Sequence, residues 1–110
     1  MDVLEVDPIG ARKLADESGA MLLDVREDDE WMAGHAPGAV HVCLGDLDPH
    51  TLDTAGPVVA VCRSGGRSGM AATKLAGAGI VVYNMVGCMT AWEAIGQPVI
   101  RDDGTAGTVI

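Results

Sequence analysis

Residues 58–69 read VVAVCRSGGRSG, so that an apolar run ends on a cysteine followed by arginines, glycines and serines. In open α/β sheets, ligands bind where strands end and helices begin, and Cys62 stands at such a junction. A tight turn from Cys62 into a helix would aim several backbone N–H groups at one point. Glycines allow the positive φ that such a turn often requires. The pattern predicts an anion cradle built from Arg63, Ser64, Gly65, Gly66, Arg67 and Ser68.

The position of Cys62 in this cradle predicts an activated thiol. An ordinary cysteine has a pKa of about 8.5, whereas a helix N-terminus with arginines nearby lowers it to about 3.5–7.5. Cys62 would then be ionised and nucleophilic at neutral pH. The alternative is that Cys62 is an inert core thiol and that the loop merely binds phosphate or sulfate. The residues alone leave both interpretations open.

Two other phosphate-handling motifs do not fit the spacing. A P-loop requires GxxxxGK[ST], which is absent from the sequence. A cysteine phosphatase loop generally separates its cysteine from its arginine by five residues, whereas four residues separate Cys62 from Arg67. The shorter loop would enclose a smaller space, which suits a smaller anion.

The elements that must position this loop follow from short apolar runs with helical patterns between them. Because parallel strands require crossover connections, this alternation predicts a small three-layer α/β domain. One helix is expected from Asp7-Pro8 to Gly19 and another from a cap at Ser68 to the glycines at 77 and 79. Shorter helices are expected at 27–33 and 90–95. The candidate strands are 4–6, 20–25, 39–42, 58–61 and 80–83.

Length and charge limit the classes of protein that need to be considered. The chain has 110 residues, 48% of them apolar, which suits one domain, predicted at 1–101 with a loosely ordered tail at 102–110. Its formal charge of -9 opposes binding to nucleic acid or to anionic membranes. The uncharged stretch 75–92 is interrupted by glycines, so a membrane helix is not expected.

Cysteine usage and the N-terminus predict a cytoplasmic protein. Three cysteines are an odd number without framework spacing, which favours free thiols in a reducing compartment. The first ten residues lack the basic and apolar regions of a signal peptide. A monomer or a homodimer is expected, because the sequence does not distinguish the two.

Four motifs in order resemble the rhodanese family of sulfurtransferases. Residues 62–68 match its active-site loop CRxGxRS, and residues 24–26 resemble its DVR segment. Residues 34–39 resemble its GHIPGA turn, and residues 86–92 its GG-x-x-AW segment, with Pro98 fitting the usual ending. The resemblance covers nearly the whole chain and implies a five-stranded parallel sheet with helices on both faces.

The resemblance also implies a sulfurtransferase of the thiosulfate type. Thiolate Cys62 would take the outer sulfur of thiosulfate or of a polysulfide or persulfide, and the resulting Cys62 persulfide would pass it to cyanide, a thiol or a partner protein. Arg63 and Arg67 would attract the anionic donor. Arg67 would instead be structural if it pairs with an acid such as Asp24. Asp24, Arg26 and His35 are supporting residues, and no cofactor is expected beyond the sulfur on Cys62.

Two positions depart from the family pattern, and both are thiols. Cys88 replaces the second glycine of GG, and Cys43 occupies a position that is often proline. Each should emerge near the same sheet edge as Cys62, so either is a candidate resolving cysteine. The simpler interpretation is that both are small residues filling space.

Two alternative functions remain open. One is a non-enzymatic rhodanese module that carries or senses sulfur or docks on a partner. The other is an oxidoreductase or arsenate-reducing enzyme that uses Cys88, and the short loop disfavours it. His35, His41, Cys43 and His50 are close in sequence, but their spacing matches no zinc pattern, so no metal site is predicted. Trp31 and Trp92 are expected to be core anchors.

Overall fold

The fold is that of a computed structural model, and it is described here for residues 2–110. Residues 2–110 form five strands, four α-helices and one short 3-10 helix. In chain order these are β1 Leu4–Val6, α1 Pro8–Ser18, β2 Met21–Asp24, α2 Asp28–Ala33, β3 Val40–His41, the 3-10 helix Leu44–Asp46, β4 Val58–Val61, α3 Gly66–Gly77, β5 Val82–Met85 and α4 Cys88–Ala94.

The five strands form one sheet in the order β1-β5-β4-β2-β3, and every pairing is parallel. Successive side chains of a strand point to opposite faces, and all four residues of β4 are buried. Both faces of the sheet are therefore covered at its centre. α3 packs on β4 and β5, whereas α1 contacts β2 and α4. The predicted three-layer α/β fold with a five-stranded parallel sheet is confirmed.

Helix α1 illustrates how local sequence sets these boundaries. The side chain of Asp7 accepts a hydrogen bond of 2.7 Å from the backbone N–H of Gly10, and Pro8 occupies the first turn. The helix ends at Gly19, whose φ of 66° lies in the left-handed region. Both ends agree with the boundaries predicted from sequence.

The predicted starts of three elements were wrong, and α4 is the simplest case because it begins at Cys88 and not at Thr90. Helix α3 begins at Gly66, two residues before the expected cap at Ser68, because Gly65 makes the turn with a φ of 124°. Ser68 is consequently a buried residue inside the first turn. Strand β5 occupies 82–85 rather than 80–83, since Gly79, with a φ of 85°, and Ile80 still belong to the turn that follows α3.

Several of residues 102–110, for which a loosely ordered tail was expected, make defined backbone hydrogen bonds. Residues 102–106 form a turn in which Arg101 donates to the carbonyl of Thr105 at 2.9 Å. The N–H groups of Gly107 and Thr108 then donate to Val99 and Ala33 at 2.8 and 2.9 Å. These bonds place the end of the chain against the C-terminus of α2. Among residues 2–110, no helix is long and apolar enough to cross a membrane.

Candidate active site

The loop from Cys62 to Gly66 joins the carboxyl end of the central strand β4 to the start of α3. Gly65 turns the chain with a φ of 124°, a conformation that side chains other than glycine rarely adopt. This turn brings the backbone N–H of Gly65 to 3.0 Å from Cys62 Sγ. The predicted cradle therefore holds the sulfur of Cys62 itself.

Cys62 Sγ is surrounded by hydrogen-bonding groups although the residue is only 1% exposed. Cys88 Sγ lies 3.8 Å away and Ser68 Oγ 3.3 Å away. The pKa of Cys62 is lowered from 9.0 to about 4, chiefly by the hydrogen bond with Cys88 and then by Ser68 and the backbone N–H groups of Ser68 and Gly65, against the opposing effect of burial. The site thus favours a thiolate at neutral pH.

Cys88 lies beside the Cys62 sulfur at the start of α4. Its sulfur accepts from the backbone N–H of Cys62 at 3.2 Å and donates to the carbonyl of Met85 at 3.0 Å. Its pKa is raised, first by the hydrogen bond with Cys62 and then by burial. Cys88 has a φ of 45° and is the one non-glycine residue between 2 and 110 with a positive φ. The backbone here suits the glycine found at the equivalent position of the family motif.

Helix α4 is tied to the loop through backbone contacts as well. The N–H of Met89 donates to the carbonyl of Cys62 at 3.0 Å. Thr90 donates to the carbonyl of Arg63 through its N–H at 3.0 Å and through its hydroxyl at 2.9 Å. Sequence reasoning missed Thr90, because its relation to the loop depends on how β5 and α4 cross the sheet.

Ser68 and Asn84 link the loop to β5. Ser68 Oγ lies 2.6 Å from the Asn84 amide oxygen and 3.1 Å from Cys88 Sγ. The hydroxyl is fully buried, so its hydrogen bonds remain inside the protein. Ser68 therefore acts beside the thiolate instead of capping the helix. Asn84 was not identified from sequence, since a single polar residue in a strand carries no motif.

Arg67 pairs with Glu30 of α2 and not with Asp24, which corrects the partner suggested from sequence. Arg67 Nη2 and Glu30 Oε2 are 2.8 Å apart, and a second bond joins Nη1 to Oε1. This pair lowers the pKa of Glu30 from 4.5 to about 2. Glu30 also accepts from the N–H of Glu27, which completes a capping box at the start of α2. Arg63, by contrast, has an exposed side chain at the loop surface.

Asp24 pairs instead with Arg26, and both side chains are buried. Arg26 Nε donates to Asp24 Oδ1 at 2.9 Å, and Nη2 donates to Oδ2 at 2.7 Å and to the carbonyl of Gly34 at 2.8 Å. Arg26 Nη1 is buried without a hydrogen-bond partner among residues 2–110. The pair fixes the chain after β2, on the strand next to β4.

His35 is held in the turn after α2. Its Nδ1 lies 2.9 Å from the carbonyl of Trp31, and its ring stacks on the Trp31 ring with centroids 3.6 Å apart. The backbone of His35 pairs with Ile100 through two hydrogen bonds of 2.8 and 2.9 Å. Trp92 is 2% exposed and donates to the carbonyl of Pro98, which agrees with a core position.

Cys43 lies away from the loop, so the structure does not bring all three cysteines together. It follows the edge strand β3, which β2 separates from β4. Neighbouring strands are about 4.8 Å apart, so two strand spacings separate the ends of β3 and β4. Burial and the hydrogen bond to Asp28 raise the pKa of Cys43 to about 11. Cys43 does follow the carboxyl end of a parallel strand, at the same edge of the sheet as Cys62, but the strand order keeps it too far from Cys62 to act as a resolving cysteine.

One cluster with metal-binding residue types does form around Cys43. Ligand atoms of Asp28, His41 and Cys43 lie within 4.8 Å of one another. The sulfur is 3.3 Å from Asp28 Oδ1, and His41 Nε2 is 2.7 Å from the carbonyl of Arg26. The sequence grouping of histidines did not identify this set, because Asp28 comes from α2.

The fold and the site place the chain in a known class. The rhodanese-like domain family model matches residues 8–95, and the chain belongs to this family. Several relatives of this chain are named as sulfurtransferases.

Two curated relatives and two solved structures illustrate the similarity. YtwF of Bacillus subtilis, provisionally named a sulfurtransferase, is 36% identical over 101 residues, covering 89% of this chain and 98% of its own length. The thiosulfate sulfurtransferase GlpE of Pseudomonas putida is 33% identical, covering 81% of this chain and 84% of its own length. A rhodanese-related protein from Thermoplasma volcanium superposes with a TM-score of 0.81 at 21% identity, covering 88% of this chain and 97% of that one. A thiosulfate sulfurtransferase from Pseudomonas aeruginosa gives 0.79 at 23% identity, covering 98% of this chain and 22% of that one.

Proposed function

We propose that this protein is a sulfurtransferase that moves sulfane sulfur from thiosulfate, or from a polysulfide or persulfide, to a thiophilic acceptor through a persulfide on Cys62. The observation that carries the proposal is the set of polar groups around Cys62 Sγ, which accepts from the Gly65 N–H at 3.0 Å and lies 3.3 Å from Ser68 Oγ. These groups stabilise negative charge on sulfur before the donor arrives. The relatives named as sulfurtransferases support the same chemistry.

The first half-reaction forms the persulfide. The Cys62 thiolate attacks the outer sulfur of thiosulfate, a new S–S bond forms, and the bond to the sulfonate sulfur breaks so that sulfite leaves with the electron pair. The exposed side chain of Arg63 attracts the dianionic donor in a protein whose overall charge is -9. Arg67 is committed to Glu30, so its principal role is to hold the loop.

The second half-reaction returns the thiolate. An acceptor such as cyanide, a thiol or a partner protein attacks the outer sulfur, and Cys62 leaves as the thiolate that the loop already stabilises. The cycle requires no cofactor beyond the sulfur carried on Cys62. A cytoplasmic, reducing setting is proposed because all three cysteines are free thiols.

A second candidate is a module that carries sulfur without turning it over. The burial of Cys62, at 1% exposure, favours this reading because it would shield a bound persulfide from solvent nucleophiles. Steady-state thiocyanate production from cyanide, with thiosulfate or polysulfide as donor, separates the two. The enzyme proposal requires many turnovers by the wild type and by Cys43→Ser, and none by Cys62→Ser. A single turnover per molecule in the wild type and in Cys88→Ser alike favours the carrier, and activity in Cys62→Ser overturns both.

A further inference from the structure

We propose that Cys88 is a second catalytic cysteine, which attacks the inner sulfur of the Cys62 persulfide and releases the outer sulfur as hydrogen sulfide. This inference rests on the proposed sulfurtransferase function and names one fate of the sulfur that Cys62 carries. It makes the protein able to discharge a persulfide without any external acceptor in that step.

Proximity is the first support. Cys62 Sγ and Cys88 Sγ are 3.8 Å apart, and both residues are buried. A disulfide bond is about 2.0 Å long, so the two sulfurs need to approach by a little less than 2 Å. Cys43 has no comparable relation to the loop, since it contacts Asp28 and His41 on the far side of β2.

The difference in burial between Cys88 and the loop is consistent with attack from the protein interior. Displacement at sulfur requires the attacking and leaving atoms to lie on opposite sides of the sulfur that is attacked. Cys88 is completely buried, whereas Arg63, Ser64 and Gly66 of the loop are exposed. The outer sulfur of a persulfide would extend toward the loop N–H groups, which leaves the inner sulfur open to Cys88 from the interior.

The backbone of Cys88 adds a separate argument. A φ of 45° is a conformation that residues other than glycine adopt only at an energetic cost. A residue that only fills space at this position gains nothing that glycine would not supply at lower cost. The thiol instead faces the reactive sulfur, which is the relation expected where backbone strain accompanies function.

The step balances without an added oxidant. The persulfide Cys62–S–S⁻ and the thiol Cys88–SH give the Cys62–Cys88 disulfide and HS⁻. The bond between Cys62 Sγ and the outer sulfur breaks, a bond between the two Sγ atoms forms, and the Cys88 proton leaves on the sulfide. The sulfane sulfur is reduced and the two thiols are oxidised. A dithiol reductant must then reopen the disulfide before another cycle.

The test compares wild type, Cys88→Ser and the matched control Cys43→Ser, each given one equivalent of thiosulfate without oxygen. Sulfide is measured, and the proteins are quenched in acid, alkylated and mapped by mass spectrometry. Wild type and Cys43→Ser should release about one sulfide per protein and yield the Cys62–Cys88 crosslinked peptide. Cys88→Ser should retain one extra sulfur on Cys62 and release none. Cys88→Gly, which suits the positive φ, should repeat this result if the serine variant folds poorly.

The outcomes separate this inference from the proposed function. Wild type that keeps its extra sulfur with Cys88 free for alkylation overturns the role of Cys88 and leaves the sulfurtransferase proposal intact. Sulfide release by Cys88→Ser equal to that of wild type does the same. Failure of all proteins to take up sulfur, together with no thiocyanate formation, overturns both proposals.

Discussion

Glu30 of α2 and Arg67 of α3 form a two-point ion pair that ties the first turn of the loop helix to the segment after β2. The side chain of Glu30 is 13% exposed, so the pair is partly shielded from water. A carboxylate in this position accepts both arginine hydrogen bonds in the geometry that guanidinium groups favour. The position of the catalytic loop thus depends on an element 37 residues away in sequence.

Glu30→Gln should destabilise the protein in a pH-dependent manner. The folded-state pKa of Glu30 is lowered from 4.5 to about 2, so its contribution is present above about pH 4.5 and is lost as the pH falls toward 2. The substitution should cost about 2 kcal/mol near neutrality, allowing for solvent screening, and less near pH 3. Urea unfolding at both pH values checks this, with Glu17→Gln on the exposed face of α1 as control. A cost that is the same at both pH values would contradict the assignment.

The reactivity of Cys62 should persist far into the acid range. Its pKa is lowered from 9.0 to about 4, chiefly by the hydrogen bond with Cys88. The rate of alkylation of Cys62, followed by mass spectrometry, should therefore have its midpoint near pH 4, and Cys88→Ala should move that midpoint upward. Cys43, whose pKa is raised to about 11, serves as the internal reference. A midpoint near 9 for Cys62 would show that the loop does not stabilise the thiolate.

The buried pair of Asp24 and Arg26 should dominate stability in this part of the sheet. Arg26→Met leaves the carboxylate of Asp24 buried without its partner, which costs about 3–5 kcal/mol. The exposed Arg12, paired with Asp16 on α1, provides the control, because Arg12→Met should cost less than about 1 kcal/mol. Urea unfolding at neutral pH measures both. Equal small effects would indicate that Asp24 finds another partner or water.

Adding one methyl group to the C-terminal segment should lower the stability of the protein, because this segment is closely packed. A Cβ at Gly107 would lie 2.7 Å from Gly34 Cα and 2.8 Å from the carbonyl oxygen of Ala33. Gly107→Ala should therefore destabilise the domain by about 1–3 kcal/mol through overpacking. Gly45→Ala is the control, since nothing lies within 4 Å of its Cβ position. Thermal unfolding that does not distinguish the two variants would mean that residues 107–109 do not pack on α2 in solution.

The central features were predictable because they are contiguous in sequence. Strand β4, the glycine turn and the thiol all lie within residues 58–66, and their order alone places Cys62 at the end of a buried strand. The partner of Arg67 was not predictable, since several acids are available and only the fold brings Glu30 to it. The distances of Cys88 and Cys43 from Cys62 were not predictable either. Both follow parallel strands, but the strand order puts β5 beside β4 and β3 at the edge.

The C-terminal segment shows a different limit on what can be predicted from sequence. Its glycines and acids are typical of a turn, and composition gives no sign of the hydrogen bonds that Gly107 and Thr108 make. Two close backbone approaches, at Gly34 and Gly107, explain why glycine occurs there. Such contacts between distant backbones leave no periodic signal.

Intact-protein mass spectrometry after incubation with thiosulfate tests the central claim most directly. The claim predicts that Cys88→Ser, in which the persulfide is not discharged internally, gains one sulfur atom on Cys62, and that cyanide removes it as thiocyanate. The doubly substituted Cys62→Ser/Cys88→Ser protein should gain none. Absence of sulfur loading from both thiosulfate and polysulfide, or loading that does not require Cys62, would contradict the account.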